Sequence, residues 1–227
     1  MAPSSAAVLL DIDGTLVDST YHHALAWHRA FARHDVALPL WRIHRAIGMG
    51  GDRLVAHVAG QATEERSGDR VRDAWREEYA ELREEVRPLP GARELVSRLH
   101  AEGYRVALAS SGDPEFSREA VDLLGIGDEI DLLTTSEDVD ESKPDPDLLE
   151  QTLSRLQGVQ QAVLVGDTVY DVESAARAGL GCIALRSGGV SRAELIEAGA
   201  TRVADVPQDL LELDWPAHLS AVRPPGP

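Results

Sequence analysis

The chain is almost without lysine: of its 22 Lys and Arg residues only Lys143 is lysine, and every other basic position is arginine. It has a single cysteine, which excludes a disulfide or a thiolate metal site within one chain. That Cys182 lies in Gly181-Cys182-Ile183-Ala184-Leu185, an apolar run that reads as a buried strand, so the thiol is structural rather than nucleophilic. No apolar run approaches the roughly 20 residues that span a bilayer. Met1-Ala2-Pro3-Ser4-Ser5 lacks the basic start of a secretory leader, and a cytoplasmic location with no membrane partner is the expectation. Net positive charge is absent too. A formal charge of -17 argues against nucleic acid as a partner, because that affinity comes largely from clustered Lys and Arg. An anionic ligand must therefore be met by local positive charge.

What is present is the composition of a folded protein, 43% hydrophobic and 27% charged in 227 residues, enough for one core domain and a smaller lobe. Near its start, Ala6-Ala7-Val8-Leu9-Leu10 reads as a buried strand that ends in Asp11-Ile12-Asp13-Gly14-Thr15. Two carboxylates at a strand end repel each other and are costly unless a cation is shared between them. The lone lysine lies in Glu141-Ser142-Lys143-Pro144-Asp145-Pro146, where flanking prolines restrict the backbone. Lysine is a compact point charge and arginine a planar fork, so a lysine kept in an arginine-rich chain points to a site that does not accept guanidinium.

The segment from Leu16 to Arg87 is helical in pattern. Leu25, Trp27, Ala30 and Phe31 form one apolar face, and His22, His23, His28 and Arg29 fall largely between them, as solvated residues rather than metal ligands. Gly48 to Arg53 reads as a flexible glycine-rich loop, and Thr63 to Arg87 as a charged helix with Trp75, Tyr79 and Leu82 as its stripe. From Tyr104 onward short apolar runs alternate with helical patterns: strands at 105–110, 131–134, 162–165, 182–185 and 202–204, helices at 114–124, 147–156, 171–178 and 192–198. That alternation predicts an α/β fold, a Rossmann-like parallel sheet with helices on both faces. The proline-rich tail, 215–227, is expected to be poorly ordered. In open parallel sheets ligands bind beyond the carboxyl ends of the strands. There the sequence puts Asp11 and Asp13, Ser110 and Ser111, Lys143 and Asp167, a set suited to magnesium-assisted phosphoryl transfer.

Four motifs in order, Asp11-Ile12-Asp13-Gly14-Thr15, Ser110 after Val106-Ala107-Leu108-Ala109, Lys143-Pro144-Asp145-Pro146 and Gly166-Asp167-Thr168-Val169-Tyr170-Asp171, resemble those of the haloacid dehalogenase superfamily of phosphohydrolases. The likeness spans about Ala6 to Gly189 and falls in the helical-cap subgroup of phosphoglycolate phosphatase and beta-phosphoglucomutase. It implies a catalytic core of residues 1–15 and 88–227 with an inserted cap of residues 16–87. Asp11 is then the nucleophile that forms an aspartyl-phosphate and Asp13 the acid and base. Ser110, Ser111 and Lys143 hold the phosphate. Mg²⁺ is bound by the Asp11 carboxylate, the Asp13 backbone carbonyl and Asp167, with Asp171 supporting that shell. In the cap, Gly50 and Arg53 belong to a loop that meets the substrate, with Arg53 a candidate for an anionic group on it, and His23 is a further cap candidate for substrate contact.

Within the family, Asp13 argues against dehalogenation, whose enzymes lack the second acid. The absence of any cap lysine excludes a Schiff-base phosphonatase. His23 and Trp27 resemble the first cap helix of the phosphomutase branch, but that branch uses a cap lysine and an acid where this chain has Gly166. The expected partner is thus a small phosphorylated metabolite, a sugar phosphate or phosphoglycolate, with a phosphomutase as the alternative. A phospho-acceptor receiver fits poorly, since Asp13 and the insertion after the first strand have no place in it, and a non-catalytic binding protein would not need every catalytic position filled. Oligomeric state and the exact ester are open at this level.

Overall fold

A computed structural model of the protein describes residues 5–222. The first strand, β1 (Ala6–Leu10), is buried at every position, as its unbroken apolar run requires. After it come four helices: α1 (Thr20–Arg33), α2 (Leu40–His44), α3 (Gly51–Ala59) and α4 (Gln61–Leu82). The rest alternates: α5 (Ala92–Ala101), β2 (Arg105–Ala109), α6 (Pro114–Leu124), β3 (Leu132–Thr134), α7 (Asp147–Arg155), β4 (Gln161–Gly166), α8 (Val169–Arg177), β5 (Gly181–Leu185), α9 (Arg192–Ala198) and β6 (Arg202–Ala204). Six strands form a parallel sheet in the order β3-β2-β1-β4-β5-β6.

Alternation along the strands sorts two cores. Val8, Leu10, Val106, Leu108, Val163 and Val165 face the layer that contains α5 and α6. Ala7, Leu9, Ala107, Ala109, Ala162, Leu164 and Cys182 face α7, α8 and α9, and the many alanines let those helices approach closely. Helices α1 to α4 pack around a third cluster of their own, with Trp27, Phe31, Ile43, Leu54 and Val71 at its centre. Two connections join this cluster to the sheet, and they run side by side: Asp18 N–H donates to the Arg87 carbonyl (2.9 Å) and Leu89 N–H to that of Leu16 (2.9 Å). Among the described residues, no helix is long and apolar enough to cross a membrane.

Two expectations change. The glycine-rich loop ends at Gly50, and Gly51, Asp52 and Arg53 form the first turn of α3. The tail is ordered as far as it is described. Trp215 is 1% exposed in the core beside Tyr104, and β7 (Ser220–Ala221) pairs antiparallel with Gln161 and Ala162 of β4. The reason lies in register: β5 joins β4 only from Val163 onward, so the first two residues of β4 have a free edge that β7 covers. Residues 223–227 lie outside the described part.

Trp215→Ala should lower the unfolding free energy by about 3–5 kcal/mol through lost burial and a cavity, measured by denaturant titration. Trp41→Ala, at a side chain 68% exposed, should change it by no more than about 0.5 kcal/mol.

Candidate active site

The strand order reverses between β1 and β4, and the acids gather at that crevice. Asp11, the first residue beyond β1, still donates its N–H to the Val165 carbonyl of β4 (2.9 Å), so the ladder holds the backbone from which its buried carboxylate projects. Gly14, at φ +76°, turns the chain back, and Thr15 Oγ1 then donates to Asp167 Oδ1 (3.2 Å) at the exit of β4. Thr168 caps α8: its hydroxyl oxygen accepts the Asp171 N–H (3.2 Å), while Asp171 Oδ2 accepts from the Thr168 N–H (3.0 Å) and hydroxyl (2.6 Å). The cap fixes one Asp171 oxygen and leaves the other for an ion pair.

Lys143, only 1% exposed, supplies that pair. Its ammonium lies 2.8 Å from Asp171 Oδ1, donates to Asp11 Oδ1 (2.5 Å) and reaches the Ala109 carbonyl at the end of β2 (3.1 Å). Asp11, Asp167 and Asp171 bring carboxylate oxygens within 4.8 Å of one another, three acids around a single ammonium. Burial pushes the Asp11 carboxyl up to about 7 against the pull of Lys143, with Asp171 and Asp13 adding to the rise. Burial, and then Asp171 and Asp11, drives Asp167 well above the usual carboxylate range. Burial would lower the Lys143 ammonium, yet Asp11 and Asp171 hold it above its ordinary value.

Among the described residues, Asp171 Oδ1 has Lys143, whereas Asp167 Oδ2 is buried with neither a hydrogen bond nor an ion pair. Glycines surround it, and a Cβ on Gly14 or Gly188 would lie 2.3 or 1.7 Å from that oxygen. An orphaned carboxylate oxygen beside two further acids is a donor set for a hard divalent cation, and Asp11, Asp167 and Asp171 are the residues that fit one.

Asp13 turns away from the three acids. Its Oδ1 accepts from Ser19 Oγ (2.5 Å) and lies 2.9 Å from His23 Nε2. Burial alone would raise the Asp13 carboxyl, but the His23 ring and the hydrogen bonds from His23 and Ser19 bring it below its ordinary value. Asp11 and Asp13 line one cavity of about 60 Å³, together with Ser110, Ser111 and Met49. Ser110 Oγ accepts the Gly112 N–H (3.0 Å), and Ser111 Oγ is buried without a partner.

Comparison with known proteins assigns the family. The family model for haloacid dehalogenase-like hydrolases matches residues 6–179. The chain belongs to that family. It is an enzyme, a phosphoric monoester hydrolase of the haloacid dehalogenase-like kind. It is 29% identical over 222 residues to the validoxylamine A 7'-phosphate phosphatase of Streptomyces hygroscopicus subsp. limoneus, covering 92% of this chain and 95% of that one. It is 31% identical over 221 residues to the phosphoglycolate phosphatase of Rhodospirillum rubrum, covering 92% and 90%. The crystal structure of a hydrolase from Pseudomonas syringae superposes with a TM-score of 0.85 at 32% identity, covering 91% of this chain and 96% of that one.

Three residues of the hydrolase's helical segment differ from expectation. His23 is not solvated: it is 6% exposed, on the face of α1 that carries Trp27, with its ring stacked on Tyr79 at 3.9 Å. The reason is its partner, since Asp13 satisfies the imidazole nitrogen that burial would otherwise strand. Arg53 does not face the acids of the site. Its guanidinium is taken by Glu141 and by Asp145 (2.5 Å), which flank Lys143 in sequence. Gly50 N–H donates to Ser142 Oγ (3.1 Å), and a Cβ there would meet the Ser142 Cβ at 2.5 Å, so this position presses on the Lys143 loop. Thr15, Ser19, Thr168 and Gly188 were missed. The Thr-x-x-Asp spacing of 168 and 171 is a readable capping box; nothing local marks Gly188.

Lys143→Met leaves Asp11 and Asp171 buried without their cation and should cost about 3–5 kcal/mol of stability. Adding Asp11→Asn should recover part of that loss, which a double-mutant cycle in denaturant would measure.

Proposed function

We propose that the enzyme is a magnesium-dependent phosphatase that hydrolyses a small phosphorylated metabolite, of sugar phosphate or phosphoglycolate type, through an aspartyl-phosphate on Asp11. The observation that carries this reading is the buried Asp167 Oδ2, unpartnered among the described residues, beside Asp11 and Asp171, which share the Lys143 ammonium. Asp11, Asp167 and Asp171 would hold Mg²⁺, with the Asp13 backbone carbonyl assigned by resemblance. The metal supplies Lewis-acid stabilisation of phosphoryl charge.

A carboxylate nearing a phosphate dianion meets about 4 kcal/mol of repulsion per unit-charge pair at ~4 Å and an effective dielectric near ~20. The Lys143 ammonium offsets part of it, and the Ser110 and Ser111 hydroxyls offer donors to phosphoryl oxygens. An Asp11 carboxylate oxygen attacks phosphorus, the P–O bond to the leaving group breaks, and the phosphoryl group becomes attached to Asp11. Asp13 holds a proton for the leaving oxygen, since an adjacent phosphate dianion raises its proton affinity against the pull of His23. Asp13, now a carboxylate kept in place by Ser19 and His23, takes a proton from water, whose oxygen attacks phosphorus. Inorganic phosphate leaves and Asp11 is regenerated.

Residues 16–87 act as the cap and residues 1–15 with 88–227 as the core. The paired connections at Leu16–Asp18 and Arg87–Leu89 suit a hinge, and Gly50 and Arg53 hold the cap on the Lys143 loop. A phosphomutase is disfavoured because the cap holds no lysine.

With Mg²⁺, the protein should release inorganic phosphate from p-nitrophenyl phosphate, and chelation should abolish turnover. Asp11→Asn should lower kcat by about a thousandfold or more, as loss of a nucleophile does in other covalent mechanisms. Asp13→Ala should slow both half-reactions by at least about a hundredfold. Stable phospho-Asp11 without turnover, or interconversion of sugar 1- and 6-phosphates without phosphate release, would refute the phosphatase.

A further inference from the structure

Beside the Asp11–Asp13 cavity lies a larger cleft of about 570 Å³, and the two share Gly51, Trp75 and Ser111 in their walls. A group esterified to phosphate at Asp11 has this cleft as its neighbouring space. Its volume falls in the range of about 300–1,000 Å³ typical of small-molecule pockets. A two-carbon acid would leave most of it to water.

The charges of its wall are unbalanced. Arg72 is held by Glu64 (2.7 and 3.0 Å) and by Asp69 (2.8 Å), and also donates to the Gly51 carbonyl (3.1 Å). Arg76 is held by Asp113 (3.0 Å) and Glu115 (3.3 Å). Arg53, beside the wall residue Asp52, is engaged by Glu141 and Asp145. Each of these guanidinium groups already has carboxylate partners. Asp73 and Asp140 also line the cleft, and no ion pair or side-chain hydrogen bond engages either among the described residues. A carboxylate entering here meets acids in surplus and no uncommitted arginine. Hydroxyl and ammonium groups meet acceptors instead, and the buried Trp75 Nε1 has no partner among the described residues. The Trp75 side chain, held by stacking contacts with Trp27 (5.1 Å) and His23 (5.7 Å), adds a rigid aromatic element to the wall.

We propose that this cleft is the leaving-group subsite and that it takes a hydroxyl-rich, ring-sized group, neutral or bearing an ammonium, in preference to the ester of a small carboxylic acid. This assignment rests on the phosphatase reading and narrows its substrate class. Phosphate esters of amino sugars and sugars are therefore favoured over phosphoglycolate.

The test is a kcat/KM series on the full-length, magnesium-loaded enzyme with glucosamine 6-phosphate, glucose 6-phosphate, phosphoglycolate and p-nitrophenyl phosphate. Both sugar esters should exceed phosphoglycolate by roughly tenfold, which is about 1.4 kcal/mol. In the double variant Asp73→Asn, Asp140→Asn the ratio of glucosamine 6-phosphate to glucose 6-phosphate should fall several-fold. Asp73→Arg should improve phosphoglycolate relative to both sugars. Aryl phosphate hydrolysis with phosphoglycolate equal to or better than the sugar esters would overturn this assignment and leave the phosphatase standing. Failure to hydrolyse any of the four esters would overturn both. Ratios unmoved in both variants would remove the acids from the specificity argument and defeat the proposal.

Discussion

Asp11, Asp167 and Asp171 lie within 4.8 Å of one another in a crevice that is almost closed to water, with the Lys143 ammonium in contact with two of them. Desolvation and mutual repulsion both oppose that arrangement, and a single cation does not neutralise three carboxylates. Much of the surrounding architecture bears on this excess. Three of the contacts inside the cluster come from neutral donors that stabilise carboxylates without adding bulk: Thr15 to Asp167, and the backbone and hydroxyl of Thr168 to Asp171. Gly14 and Gly188 keep the remaining side of Asp167 open, where any Cβ would collide with its Oδ2. A fold that only needed stability would have placed apolar groups there.

The sheet explains why residues so distant in sequence meet. Parallel strands share a direction, so the carboxyl ends of β1, β2 and β4 open on one edge, and the order reversal between β1 and β4 parts the helices above it. Asp11 and Asp167 follow the two strands at that reversal, and the carbonyl of Ala109 ends the third. Lys143 comes from a loop beyond β3 and reaches this point with a side chain 1% exposed. Helices α1 and α4 then bring His23, Trp75 and Tyr79 over Asp13, so one acid is governed by the sheet and the other by the helical segment.

What is legible in the sequence follows from how local each cause is. Strand runs, helix stripes, the capping box at Thr168 and Asp171 and the acids at strand ends are set by residues within one turn or one strand of each other, and the elements from β2 to β6 lie within a residue or two of their expected limits. The surroundings of His23, Arg53 and Trp215 are not legible in the sequence because they are made by distant partners. Periodicity places His23 among polar neighbours of α1, but Asp13 makes its burial affordable. An arginine near a glycine-rich turn looks free until Glu141 and Asp145 arrive from a segment 88 or more residues away. The proline content around Trp215 argues for disorder, yet the indole beside Tyr104 and the free edge of β4 outweigh it.

The contrast between the one lysine and the many arginines has a structural counterpart. Arg33, Arg72, Arg76, Arg83 and Arg98 each lie between two acids, the geometry that a planar fork of donors serves well. In a chain of net charge -17 such forks reduce repulsion between neighbouring helices while staying partly in water. The crevice poses a different problem. Its acceptors, Asp11 Oδ1, Asp171 Oδ1 and the Ala109 carbonyl, come from three elements and all lie within 3.1 Å of one nitrogen. An ammonium has three donors around a single small centre: here it donates to Asp11 Oδ1 and the Ala109 carbonyl and pairs with Asp171 Oδ1. A guanidinium of greater width, with five donors confined to a plane, would leave donors unpaired in a site 1% exposed and would force the acids apart. The residue type at position 143 is thus dictated by the same convergence of strand ends that creates the acidic crevice.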